Sequence, residues 1–172
     1  MIRIAITGPE STGKSSLAEA LARELNGRIV PEYARAYLDD LGRPYELHDV
    51  LRIGRQQYEM IMEACDSSVE AVIADTELLV ISIWLSHKYG HTEPWIENRL
   101  ARQPFDLYLL CDIDLPWEED PQREHPHMRQ YFFELYHKRL TDLDVPFGVV
   151  QGEGEDRIKN ALALINALSS CG

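Results

Sequence analysis

The sequence predicts an α/β fold: a parallel five-stranded sheet flanked by helices on both faces. Three observations predict it. Five short apolar runs are spread along the 172 residues, each short enough for a strand. Between them lie stretches whose apolar residues recur at helical spacing. The runs are apolar at nearly every position rather than at alternate ones, as strands covered on both faces must be.

The elements follow in chain order. "IRIAIT" at 2–7 reads as a fully buried strand. "SSLAEALARELNG" at 15–27 reads as a helix with Leu17, Leu21 and Leu25 on one face and Gly27 closing it. "RIVPEYAR" at 28–35 is a short strand running into a turn. "ELHDVLRIGRQQYEMIMEAC" is a long helix over 46–65. "VEAVIADT" at 69–76 is a buried strand ending in a carboxylate, and "ELLVISIWLSHKYG" at 77–90 is helical with a terminal Gly90. "FDLYLLCDID" at 105–114 is a third buried strand, and the polar, Pro-punctuated 115–127 is a loop. A helix over 128–143, the strand "FGVVQG" at 147–152 and a last helix over 155–168 complete the fold. The last helix carries Ile158, Leu162, Ile165 and Leu168 as a stripe.

Length and composition set the outer bounds. One domain spanning 1–172 has enough chain for a sizeable core. Seventeen Lys and Arg against 29 Asp and Glu give a formal charge of −12, which repels nucleic acid and anionic membranes. No apolar run is long enough to span a bilayer, and 1–8 runs too directly into a glycine loop to be a signal peptide. Cys65, Cys111 and Cys171 are scattered, with neither metal spacing nor a disulfide framework. The expected setting is therefore cytoplasmic, with reduced thiols. The expected partner is a small molecule, and a homo-oligomer is compatible with the sequence.

In open parallel sheets ligands bind beyond the carboxyl ends of the strands, so the residues just after each strand carry the chemistry. After the first strand, "GPESTGKSS" holds Gly8, Gly13, Lys14 and Ser15 in the order G-x-x-x-x-G-K-S, with Ser11, Thr12 and Ser16 completing the segment. Glycines permit the backbone angles that let amides point inward around phosphate oxygens at a helix start. Lys14 supplies charge to the β and γ phosphates, and Ser15 a hydroxyl to Mg²⁺. The strand before and the helix after are the context that gives this motif its meaning.

Asp75, ending its strand, either holds Mg²⁺ or caps the next helix, where Thr76 is the expected local cap. Glu32 either takes a proton from an attacking acceptor hydroxyl or forms a surface pair with Arg35. Arg35 in turn orients the acceptor or pairs with Glu32. In the loop, Arg123 suits closure over a transferring phosphoryl group, and Arg129 belongs to the following helix. His125 and His127 form H-x-H without a third ligand nearby, which is not a metal pattern. Tyr33, Tyr37, Trp84, Tyr89 and Trp117 are the aromatics nearest these motifs, available for stacking on a ring or for core packing. Gln151 opens the segment after the last strand.

Taken together, "GPESTGKSSLAEALA", "PEYARAYL", "ADTELLVISIW", "FDLYLLCDIDLPWEEDPQR" and "GEGEDRIKNAL" resemble the nicotinamide riboside kinase domain of the NadR type, within the P-loop nucleoside kinases. The resemblance covers nearly the whole chain in order. It implies a P-loop kinase fold with a lid at about 115–128, ATP and Mg²⁺ as cosubstrates, and phosphorylation of a ribose 5′-hydroxyl to give the mononucleotide. It implies Gly8, Gly13, Lys14 and Ser15 for phosphate, Glu32 and Arg35 near the acceptor, Asp75 at the metal and Arg123 at the lid. Of the aromatics, Tyr33, Trp84 and Trp117 are then the candidates for the acceptor ring, and Gln151 for the ATP side. Two departures stand out: Glu77 where family members often carry a second aspartate, and no glycine after the aspartate of the lid. Multidomain relatives carry a DNA-binding segment and an adenylyltransferase domain; with its phosphate loop at residue 8, this chain is expected to make the mononucleotide without completing NAD.

Other classes fit less well. A kinase of another nucleoside or small metabolite uses the same parts. A GTP switch needs an N-K-x-D segment, which is absent, and "DDLG" at 39–42 ends a helical stretch rather than following a strand. A ring ATPase needs a longer chain, and a nucleotide sensor would bind without turning over.

Overall fold

The computed structural model describes residues 1–102 and 105–169. Cys171 lies outside them. Five strands pair in the order β2-β3-β1-β4-β5: β1 (Ile2–Thr7), β2 (Arg28–Val30), β3 (Ala71–Asp75), β4 (Leu107–Cys111) and β5 (Phe147–Val150). Every pairing is parallel, with Ile4 opposite Ile73 on one side and Leu107 on the other. All five residues of β3 and of β4 are buried, which is why these strands read as unbroken apolar runs.

Among the described residues seven helices connect and cover the sheet: α1 (Lys14–Glu24), α2 (Tyr33–Leu41), α3 (Leu47–Cys65), α4 (Leu78–Tyr89), α5 (Pro94–Leu100), α6 (Arg129–Asp142) and α7 (Gly154–Ser169). Successive strand residues point to opposite faces, so two cores form. Ala5, Val72, Ala74, Tyr108 and Leu110 pack with Ile53 and Ile61 of α3, Leu79 and Leu85 of α4 and Leu140 of α6. Ile4, Ile6, Ile73 and Leu109 pack on the other face with Leu17 and Leu21 of α1 and Ala161 and Ile165 of α7. No helix among the described residues is long and apolar enough to cross a membrane.

Local structure departs from expectation in three places. α1 ends at Glu24 with Leu25 as its cap, short of Gly27, and the left-handed residue that turns the chain is Asn26 (φ 47), with Asn26 N–H donating to the Arg23 carbonyl and Gly27 N–H to that of Ala22. Gly27 is needed for space: a Cβ there would lie 2.6 Å from Ile73 Cδ1 and 2.9 Å from the Ala71 carbonyl. The cap of α4 is Glu77, not Thr76; its carboxylate accepts the Leu79 N–H at 2.5 Å, while Thr76 sits at φ 68. The short helix α5 was not expected, although Pro94 at its first position marks its start. Gly42 is the left-handed cap of α2, so "DDLG" is a helix end.

Candidate active site

The in-register sheet brings Thr7, Val30, Asp75, Cys111 and Val150 to one edge, and the segments after them meet there. After β1 the chain turns through Gly8 (φ 133), Ser11 (φ 56) and Gly13 (φ 72) into α1. At Gly8 a Cβ would lie 3.0 Å from the Cys111 carbonyl, so the loop packs backbone to backbone against the end of β4. Thr12 Oγ1 donates to the Pro9 carbonyl at 2.8 Å. Lys14 Nζ reaches back across the loop to the carbonyls of Gly8 at 3.0 Å and Pro9 at 2.7 Å. That places a cation against two carbonyls of the loop, where a phosphate would compete for it.

A cavity of about 630 Å³ opens over this loop. Gly8, Ser11, Thr12, Gly13, Lys14, Ser15, Ser16, Glu32, Arg35, Trp84 and Arg123 all line it. One end is bounded by Leu115, Glu153, Gly154, Arg157 and Ile158, and the other by Leu38, Tyr45, Val80, Trp84, His87 and Phe132. The second end is largely apolar and aromatic. Tyr45 and Trp84 meet edge to face with centroids 5.0 Å apart, and Trp84 Nε1 donates to the Tyr45 hydroxyl at 3.1 Å.

Two carboxylates lie near the phosphate loop, Glu32 on the cavity wall and Asp75 buried behind it. Burial pushes the Glu32 carboxyl up, and the nearby Asp75 pushes it further, while Lys14 and Arg35 oppose. Glu32 is half-buried and lines the cleft. Asp75 is 4% exposed; burial raises it too, with the Ser15 hydroxyl and Lys14 opposing. Its Oδ1 is buried without a hydrogen-bond partner. An orphaned carboxylate oxygen beside a hydroxyl is a hard donor set that fits Mg²⁺, so Ser15 and Asp75 are the residues that could hold one. Among the described residues no group of three or more His, Cys, Asp and Glu gathers as a metal site.

The segment 112–128 crosses the cavity and is tied to both sides. Ser11 Oγ accepts the Glu118 N–H at 2.8 Å and Arg123 Nη1 at 3.3 Å, and Arg129 Nη1 donates to the Ser11 and Leu115 carbonyls at 3.2 and 2.8 Å. Arg35 pairs with Asp120 at 2.9 Å rather than with Glu32, the alternative to a role at the acceptor. The Glu10 carboxylate accepts the N–H groups of Glu124 and His125. Glu124 in turn accepts the Tyr45 hydroxyl at 2.8 Å and pairs with Lys88 at 3.1 Å. The His125 ring packs edge-on against His87, with centroids 5.1 Å apart.

Four candidate residues stand off the cavity wall: Asp75, buried at the end of β3 beside Ser15, and three others. Tyr33 packs in the core beside Tyr37, its N–H donating to Gln57 Oε1 at 2.8 Å. Trp117 lies under the guanidinium groups of Arg123 and Arg129, each 5.9 Å from its ring centroid. Gln151 donates to Asp112 Oδ2 at 2.8 Å, bridging the segments after β4 and β5. Sequence reasoning overlooked Tyr45 and Arg157. Tyr45 is placed by a turn that Asp49 holds, accepting Arg43 at 2.8 and 2.9 Å and the Glu46 N–H at 2.8 Å. The signal for that turn was the Glu46–Asp49 capping box.

Comparison with known proteins agrees with this geometry. The AAA domain family matches residues 3–157. The "Trifunctional NAD biosynthesis/regulator protein NadR" of Escherichia coli (strain K12) is 27% identical over 161 residues, covering 89% of this chain and 39% of that protein. A crystal structure of NadR protein in complex with NR superposes with a TM-score of 0.81 at 21% identity, covering 98% of this chain and 52% of that one. NadR protein in complex with NAD and AMP-PNP gives 0.80 at 22% identity, covering 97% and 49%. The chain thus spans about half or less of the length of these relatives, and the superpositions establish a shared P-loop kinase fold.

Proposed function

This chain belongs to the AAA domain family, and from that premise we propose that it is an ATP- and Mg²⁺-dependent kinase. Its acceptor is the ribose 5′-hydroxyl of nicotinamide riboside, and its product nicotinamide mononucleotide. The observation that carries the reading is one continuous cavity joining the phosphate loop, the Glu32 carboxylate and an aromatic wall. An ATPase whose acceptor is water needs no such wall. A kinase for an organic alcohol needs all three parts on one side of the phosphate loop, and the NadR likeness supports nicotinamide as the ring.

ATP supplies the phosphoryl group; Ser15 and Asp75 would hold Mg²⁺, which would neutralise charge on the phosphates. The remaining work falls to side chains of this chain. Lys14 exchanges its loop carbonyls for β and γ phosphate oxygens, and the loop amides cradle the rest. Glu32 orients the acceptor hydroxyl and takes its proton. Arg123, held over Ser11, stabilises charge on the equatorial oxygens, and 115–128 acts as a lid that excludes water. Trp84 and Tyr45 receive the acceptor ring. Lys88 already covers the Tyr45 ring at 3.8 Å, but its charge is matched by Glu124, so the wall remains hospitable to a cation. In this reading the 172 residues work as one kinase domain in the cytoplasm.

A pyridinium over an aromatic face gains about 0.5–2 kcal/mol, so nicotinamide riboside should exceed a neutral nucleoside in kcat/KM by roughly twofold to thirtyfold on this contact alone. The test is a coupled ADP-release assay at fixed Mg·ATP with nicotinamide riboside, its uncharged reduced analogue, uridine, cytidine and thymidine. Nicotinamide riboside is expected to rank first and the reduced analogue below it. Preference for a pyrimidine nucleoside overturns the assignment of the acceptor. No ADP release with any acceptor overturns the kinase reading itself.

A further inference from the structure

Arg157 enters from the first turns of α7 and is 4% exposed. Its guanidinium reaches three separate segments of chain. Nη1 donates to Asp114 Oδ1 at 2.7 Å and to the Gly152 carbonyl at 2.7 Å; Nη2 donates to the Thr12 carbonyl at 2.8 Å and to the Asp112 carbonyl at 3.1 Å. Asp114 closes the arrangement by accepting the Gly152 N–H at 2.6 Å. These acceptors belong to the phosphate loop, the segment after β4 and the segment after β5. Three of the four are backbone carbonyls, which a simple ion pair would leave without donors. A planar fork with several fixed N–H directions can serve all four, and an ammonium cannot.

The contact to Thr12 has a consequence for its neighbour. A trans peptide holds its C=O and N–H in one plane, pointing in opposite directions across the C–N bond. Clamping the Thr12 carbonyl on the Arg157 side therefore turns the Gly13 N–H the other way. Gly13 lines the cavity and stands at φ 72, with no side chain of its own to restrain the peptide.

We propose that Arg157 is a positioning residue for the phosphate donor: it aims the Thr12–Gly13 amide into the phosphate cradle and locks that cradle to the segments 112–114 and 152–154. The identification of the donor as a nucleoside triphosphate rests on the kinase reading above. Arg157 acts through the backbone it holds, so its effect falls on the donor and not on the acceptor at the opposite end of the cavity. One misdirected amide removes a hydrogen bond to a charged group, which corresponds to a loss of affinity on the order of tenfold to a hundredfold.

The test compares the wild type with Arg157→Lys and Asp114→Asn. Three quantities are measured: binding of Mg·AMP-PNP by calorimetry, the KM for ATP and for the acceptor nucleoside, and thermal melting. Arg157→Lys keeps the charge and loses the fork. It is expected to melt cooperatively, to bind Mg·AMP-PNP at least about tenfold more weakly with a matching rise in KM for ATP, and to keep the acceptor KM within about twofold. Asp114→Asn leaves the three carbonyl contacts in place and is expected to give a smaller rise confined to the donor. A folded Arg157→Lys with a lowered melting temperature but unchanged donor affinity overturns the proposal and leaves Arg157 a stabilising stitch only. Should Arg157→Lys fail to fold, Asp114→Asn decides: equal changes in both KM values, or none, overturn it. A folded wild type that binds no Mg·AMP-PNP overturns the kinase reading, and this inference with it, by a result that no variant is needed to see.

Discussion

Glu32→Gln keeps the shape of the side chain at the cap of α2 and removes its capacity to take a proton. The carboxylate faces the cavity between the phosphate loop and the aromatic wall, where burial and Asp75 raise its pKa against the pull of Lys14 and Arg35. Because Arg35 is engaged by Asp120 at 2.9 Å, Lys14 is the main cation opposing that rise. Loss of a general base costs about 10²–10⁴ in rate, or roughly 3–5 kcal/mol of barrier. A loose phosphoryl-transfer transition state asks little of the base before the bond to the hydroxyl forms, which places the expected loss in kcat at about 10². The KM for ATP should stay within about twofold, since the donor is held by Lys14 and loop amides. The sign of the pH effect follows from the raised pKa. A base must be ionised, and a carboxyl held above its ordinary value of about 4.3 protonates sooner as pH falls, so wild-type kcat should decline through a limb above that value. The assay is ADP release at saturating Mg·ATP and acceptor, followed from about pH 4 to about pH 9 so that an acid limb can be read. Glu32→Gln should be slow and should lack the limb. A variant with wild-type kcat and the acid limb intact would refute the assignment of Glu32 as the base.

Other substitutions probe the remaining parts. Lys14→Ala should fold normally and lose about 10²–10³ in kcat, since it removes a donor to transition-state charge; a folded variant with near-normal turnover contradicts the phosphate-loop assignment. Asp75→Asn should raise the Mg²⁺ concentration needed for half-maximal rate, and an unchanged Mg²⁺ titration would take the metal away from Asp75. Glu77 is buried, and burial pushes its carboxyl up to about 7. The folded protein therefore holds this proton more tightly than the unfolded chain, and stability should fall as pH rises from about 4.5 through 7, by an amount on the order of 3 kcal/mol. Glu77→Gln, neutral throughout, should flatten that decline in urea melts of the metal-free protein at pH values either side of it, and an equally steep decline in the variant would place its origin elsewhere. Gly27→Ala should cost about 1–3 kcal/mol by pressing a methyl group on Ile73 and the Ala71 carbonyl, with both KM values unchanged; a melting temperature equal to wild type would show that the helix end relaxes freely.

What could be read from the sequence divides along the cavity. The strands were legible because burial on both faces leaves no polar positions in β3 and β4, and the donor end was legible because phosphate is recognised by backbone amides whose placement is written into a few consecutive residues, Gly8 to Ser15. The helix α5 escaped because seven residues hold too little periodicity to show, and the cap at Glu77 because its carboxylate is buried rather than solvated. The acceptor end obeys different physics. Its wall is made of side chains from a turn, α2, α4 and α6, and which ring faces the cavity depends on packing between residues far apart in the chain. Trp117 adjoins the lid motif in sequence yet lies beneath two arginines, whereas Tyr45 belongs to no motif and reaches the wall because Asp49 and Arg43 fold its turn. Arg157 follows the same logic: along α7 it reads as an ordinary helical arginine, and only the convergence of three loops turns it into a buried clamp. A change of acceptor within this fold can therefore proceed by repacking the 42–46 turn and the α4 face while the phosphate loop stays as it is, because the two ends of the cavity are specified by different kinds of information.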